Sequence, residues 1–112
     1  PSVLSLTRQN LNPIRKKISK TNKCSLGAYE VLRTNKKVHL TIIASGSEVN
    51  LAIETGHKLA KDKIYSKVIS MPCQDLFDVQ SNSYKQKIIN ETKIKISVEA
   101  ASSDCLKKYV GK

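Results

Sequence analysis

Apolar residues fall along this chain in short blocks separated by polar and basic stretches. Ser2 to Leu6 is a compact run of β-favouring residues, and Val38 to Ala44 (VHLTIIA) is a longer one rich in β-branched side chains; both read as buried strands. Directly after the second run, Ser45 and Glu48 stand at the spacing of a capping box, a serine followed three residues later by glutamate at the mouth of an amphipathic stretch. Val49, Ala52, Ile53, Gly56, Leu59 and Ala60 then recur at steps of three and four, while Glu54, Lys58 and Lys61 fall outside that stripe. This pattern predicts a helix ending near Asp62 or Lys63. Val68 and Ile69 belong to a third strand that stops at Met71, because Pro72 brings no N–H donor to a ladder. Asn82 to Asn90 places Tyr84, Ile88 and Ile89 at helical spacing, and Ile94 to Val98 alternates apolar and polar up to Glu99, predicting a helix and a fourth strand.

Strand, helix, strand, helix and strand at these intervals imply right-handed crossovers and a parallel sheet covered on both faces. Between Ser2 to Leu6 and the Val38 strand, Gly27 to Leu32 (GAYEVL) predicts one more strand. The short connection from Arg33 to Lys37 makes an antiparallel hairpin with the Val38 strand easier than a parallel crossover. The predicted fold class is therefore α/β, a three-layer α/β/α arrangement whose mostly parallel sheet has one antiparallel edge strand. It is expected to be incomplete at the C-terminus, since the chain stops at Tyr109, Val110, Gly111 and Lys112 where a further helix or strand could follow. The missing initiator Met adds the expectation of a chain cut at both ends.

At 112 residues, 39% hydrophobic and 26% charged, the composition suits one small folded domain and excludes a disordered tail, a collagen or a coiled coil. The longest apolar runs are far shorter than the roughly 20 residues of a membrane helix, and no signal peptide opens the chain. Cys24, Cys73 and Cys105 form no CxxC pair, which points to reduced thiols and a cytoplasmic setting. The net charge of +11 is uneven: Arg8 to Lys37 holds nine cations against Glu30, leaving only +3 for residues 38–112. That basic stretch contains a single aromatic, Tyr29, whereas a surface that stacks bases interleaves aromatics with its cations. A solvated basic linker is the expectation, without nucleic-acid or membrane partners, and a free-standing basic binding module remains the alternative.

Several segments, in order and at regular intervals, resemble one family. Ser5 to Leu11 (SLTRQNL), Gly27 to Leu32 (GAYEVL), Ile43 to Val49 (IASGSEV), Ser70 to Gln80 (SMPCQDLFDVQ), Val98 to Ala100 (VEA) and Lys108 to Gly111 (KYVG) together resemble the C-terminal part of transketolase. The resemblance implies that residues 1–11 are the tail of the pyrimidine-binding domain, 12–26 the linker, and 27–112 a truncated C-terminal domain. It implies, for the complete enzyme, transfer of a two-carbon ketol group from a ketose phosphate to an aldose phosphate in the pentose phosphate pathway. Thiamine diphosphate and a divalent metal (Mg or Ca) would be bound outside these residues, and the whole enzyme would be a cytoplasmic homodimer with sugar phosphates as substrates. The chain alone is expected to be inactive. The related C-terminal domain of another thiamine diphosphate enzyme stays open as an alternative, and SLTRQNL argues against it.

Within this resemblance Arg8, in Thr7-Arg8-Gln9, is implied to bind the substrate phosphate. A guanidinium suits that role: it is always charged and offers a planar fork of donors to phosphate oxygens. No catalytic, cofactor-binding or metal-binding residue is assigned. Ser45, Gly46 and Ser47 lack the glycines and lysine of a phosphate loop and are expected to cap the helix. The role of Glu99, after the last strand, is left open. His39 and His57 have no ligand partner at metal spacing, and Cys73 has no visible base to activate it.

Overall fold

The computed structural model describes residues 1–100 and 104–111. Strands β1 (Tyr29–Arg33), β2 (Leu40–Ala44), β3 (Ser66–Ser70) and β4 (Ile94–Val98) form one sheet in the order β1-β3-β2-β4. β2 runs parallel to both of its neighbours, with Ile42 opposite Val68 on one side and Ile96 on the other. β1 lies antiparallel on β3 at the edge. Four helices accompany the sheet: α1 (Glu48–Lys61), α2 (Gln74–Asp78), α3 (Asn82–Ile89) and α4 (Asp104–Val110), preceded by a 3-10 turn over Lys23–Leu26.

Period two in the strands divides the core into two halves. Ile42, Ala44 and Val68 face α1, where Val49 and Ala52 meet them, while Ile43 and Ile69 face the other way onto Phe77, Ile88, Ile89 and Leu106. Every residue of β2 and β3 is buried, as parallel strands covered on both faces require. The three-layer α/β/α arrangement with one antiparallel edge strand is thus the observed fold.

The structure departs from the sequence reading in four places. First, Ser2 to Leu6 forms no strand: Val3, Leu4 and Leu6 are exposed. A strand exists only as part of a ladder: both sides of β2 and of β3 are taken within the sheet, and residues 2–6 do not pair with the outer side of β1 or β4. Second, β1 pairs with β3 rather than forming a hairpin with β2. β2 is central, with both of its edges occupied by parallel partners, whereas the polar Glu30 and Arg33 suit an edge. Thr34 closes the end of β3 instead, its amide donating to Ser66 O (3.1 Å) and its Oγ1 accepting from Ser66 N (2.9 Å). Third, the capping box does not form. The first cap of α1 is Ser47, no side chain bonds to the helix amides there, and Ser47 Oγ instead donates to Glu48 Oε1 (2.9 Å). Fourth, α2 and α4 are helices that the periodicity did not predict. α2 is held by Gly27, whose φ is +79° and whose carbonyl accepts from Cys73 N (3.1 Å). A Cβ on Gly27 would stand 2.1 Å from Phe77 N and 2.5 Å from Cys73 O, so only glycine lets the chain enter β1 this close to α2.

Candidate functional site

Because β2, β3 and β4 are parallel, their carboxyl ends share one edge of the sheet, the edge where open α/β sheets bind ligands. A cavity of about 660 Å³ opens there. Ser45, Gly46, Ser47 and Glu48 form one wall, Glu99 and Ala100 another, and Ser5, Leu6, Thr7 and Leu11 of the N-terminal segment the third. Three features noted separately in the sequence, the Thr7 motif, the Ser45 turn and Glu99, therefore meet at one place.

The turn before α1 is built by its backbone: Glu48 N donates to Ser45 O (3.3 Å), Val49 N donates to Gly46 O (3.3 Å), and Gly46 takes a φ of +57°. On the opposite wall, Thr7 Oγ1 accepts from Gln9 N (3.3 Å). This local turn of the hydroxyl-to-backbone type puts Arg8 at its apex. Arg8 is exposed, and no carboxylate among the described residues holds its guanidinium. The N-terminal segment is tied to the domain further on, where Asn50 Nδ2 donates to Asn12 O (3.2 Å), Ile14 packs on the α1 side of the core and the Arg15 guanidinium lies 5.6 Å from the centre of the Tyr29 ring.

The other candidates stay apart from this cavity. His39, on the residue before β2, stacks on Tyr65 (5.7 Å between ring centres), and its Nδ1 accepts from Tyr65 N (2.9 Å), which is a structural role. His57 is exposed on α1, and Cys73 is a half-buried residue preceding α2. Among the described residues no three His, Cys, Asp or Glu side chains gather as metal ligands, and no helix is long and apolar enough to cross a membrane.

Sequence reasoning missed an ionic network at the other end of the sheet. Lys67 on β3 is wholly buried, its Nζ donating to Lys87 O (2.8 Å) and Glu91 Oε2 (2.9 Å). Arg33 forks onto Glu91 (3.0 and 2.7 Å) and also donates to Glu30 (3.0 and 3.1 Å). The hydrogen bonds from Arg33, then from Lys67, hold the Glu91 carboxyl down at about 2. A lysine flanked by Ser66 and Val68 carries no mark in the sequence that it will be buried; only the packing of α3 over β3 makes it so. A second cluster joins α2 to α4: Asp78 accepts from Lys108 Nζ and from Tyr109 Oη (2.8 Å), and these bonds lower its pKa.

Residues 27–112 match the sequence model of the transketolase-like TK C-terminal domain. The chain belongs to the transketolase family. It is 38% identical over 101 residues to the transketolase of Rhodobacter capsulatus, an alignment that covers 90% of this chain and 15% of that protein. The crystal structure of transketolase from Campylobacter jejuni superposes with a TM-score of 0.74 at 34% identity, covering 86% of this chain and 15% of that one. A transketolase from Pichia stipitis, solved in complex with sedoheptulose-7-phosphate, superposes with a TM-score of 0.73 at 35% identity over 80% of this chain and 13% of that one. The chain thus spans no more than 15% of these relatives' own length. The mixed sheet with its antiparallel edge strand is the fold of the transketolase C-terminal domain, and the Gly27 contact with α2 lies at the first residue of the matched region.

Proposed function

We propose that this chain is the C-terminal part of a thiamine diphosphate-dependent transketolase, a homodimeric cytoplasmic enzyme that moves a two-carbon ketol group from a ketose phosphate to an aldose phosphate in the pentose phosphate pathway. Residues 1–11 are the tail of the pyrimidine-binding domain, 12–26 the linker and 27–112 the C-terminal domain. Thiamine diphosphate supplies the electron sink for breaking and making the carbon–carbon bond. Among the described residues, the wall of the carboxyl-edge cavity contributes Glu48 and Glu99 but no cation. That donor set does not suit a diphosphate, and the cofactor with its Mg or Ca ion is assigned to other parts of the enzyme.

The role of these residues is to position substrate. Arg8 holds the substrate phosphate, and the observation that carries this reading is the turn at Thr7, which leaves Arg8 exposed and without a carboxylate partner beside the cavity. The sugar phosphate bound by the Pichia stipitis relative supports the substrate class. A guanidinium on the phosphate anchors the end of the sugar away from the reacting carbons, and binding energy gained there aligns them.

The test is the ratio of kcat/KM for a phosphorylated and an unphosphorylated ketose in the assembled enzyme. Arg8→Ala should cost the phosphorylated donor about tenfold or more, the worth of one charge-assisted contact, and leave the unphosphorylated donor nearly unchanged. Arg8→Lys should recover part of the loss, since an ammonium keeps the charge and loses the planar fork. Equal losses on both donors would show that Arg8 is structural.

A further inference from the structure

A second concavity lies on the sheet face opposite α1, in a groove of about 420 Å³ between α3 and the last turn of α4. Its polar wall is made of Lys85, Lys95, Lys108, Asn82, Gln86 and Asn90, and no aspartate or glutamate lines it among the described residues. Phe77, Ile89 and Tyr109 supply apolar surface beneath. It shares no lining residue with the cavity at the carboxyl edge.

The three ammonium groups are held in place. Lys85 Nζ donates to Asp78 O (3.0 Å), Lys108 Nζ to the Asp78 carboxylate, and Lys95 Nζ to Asn90 Oδ1. An ammonium has three donors, so the single bonds that fix Lys85 and Lys95 leave donors to spare on each, while Lys108, held by Asp78, also lies 4.9 Å from the centre of the Tyr109 ring. Asp78 offsets one of the three charges, and the local balance stays positive by two. Compensation of helix ends accounts for two of them, because Lys85 bonds the last carbonyl of α2 and Lys108 lies in the last turn of α4. It does not account for Lys95, which comes from β4 and is half-buried in the groove. A wall of cationic and amide donors that lacks a carboxylate is a surface for an anion. The groove's volume lies within the range of small-molecule sites.

We propose that this groove binds a small phosphate-bearing polyanion, seated on the ammonium groups of Lys85, Lys95 and Lys108. The assignment is independent of the role of Arg8.

Titration of the full chain with inorganic pyrophosphate, followed by amide chemical shifts, tests it. Saturable shifts should concentrate at Asn82, Lys85, Asn90, Lys95 and Gly111, with Gly46 to Glu48 unmoved. Lys85→Gln combined with Lys95→Gln should weaken binding at least tenfold at unchanged thermal midpoint. Lys95→Arg should retain binding, and Lys58→Gln, at an exposed position on the α1 side of the sheet, should leave it unaltered. Shifts spread evenly over the lysine-bearing surface, a loss as large in Lys58→Gln as in the double variant, or no saturable binding would overturn the assignment.

Discussion

Gly27 and Gly46 both hold a left-handed φ, and they separate two costs that the sequence cannot tell apart. Around Gly46 no atom lies within 4 Å of an added Cβ, whereas at Gly27 the backbone of Phe77 and Cys73 occupies that space. Gly46→Ala should therefore lose about 1 kcal/mol from backbone conformation alone. Gly27→Ala should lose about 3 kcal/mol or more, because neither α2 nor β1 can yield without breaking the Cys73 to Gly27 hydrogen bond. Urea unfolding of the two variants checks the difference. Glu91 gives a pH signature. Its folded pKa of about 2 lies below the ordinary carboxyl value of 4.5, so the unfolded chain binds the proton more tightly. The stability it contributes is present above about pH 4.5 and is lost as the pH falls toward 2. Glu91→Gln should flatten this acid limb in thermal melts. At neutral pH it should also cost ~1–3 kcal/mol, a value discounted for the partial exposure of Glu91, because the fully buried Lys67 loses its counter-charge. Neither effect is readable from the sequence: nothing local marks Gly27 as lying against α2, and nothing beside Lys67 marks it as buried.

At the scale of elements, readability followed length and periodicity. α1, with fourteen residues and a regular apolar stripe, is legible to within a residue at its C-terminal end; β2 and β3 follow from their apolar, β-branched residues and β4 from its alternation. α2 and α4, of five and seven residues, are too short to display a helical period, and their apolar residues make sense only once Phe77 and Leu106 are seen to seal the face formed by Ile43 and Ile69. The capping box failed for a related reason: the spacing of Ser45 and Glu48 was right, but the left-handed Gly46 between them turned the backbone so that α1 starts after Ser47. β4 carries its own consequence. It pairs only with β2 among the described strands, and Ile94 and Ile96 are 58% and 45% exposed on it. An edge of this kind templates association. Sedimentation velocity of the chain should show concentration-dependent oligomers, and Ile96→Lys, a charge on the edge, should shift the distribution toward monomer. An unchanged distribution would place the association elsewhere.

For the whole molecule, the two-sided core of residues 27–100 and 104–111 contrasts with an N-terminal segment that reaches it through a few contacts at Asn12, Ile14 and Arg15. Limited digestion with trypsin should cut first at Arg8 and at Arg15 to Lys17, well before Lys58 or Lys61 in α1, because cleavage needs backbone that opens without unfolding the core. Early cutting within α1 would contradict that order. The sequence by itself determined the α/β class, the order and type of the long elements, and, through the ordered family segments, the kinship with transketolase. These depend on local periodicity and on motif identity, which need no knowledge of neighbours. Which strand lies beside which, the exposure of Ser2 to Leu6, the burial of Lys67, and the meeting of Thr7, Ser45 and Glu99 around one cavity were decided only by the tertiary structure. A pairing partner, a counter-charge or a cavity wall is supplied by residues distant in the chain, and the local pattern holds no record of which ones arrive.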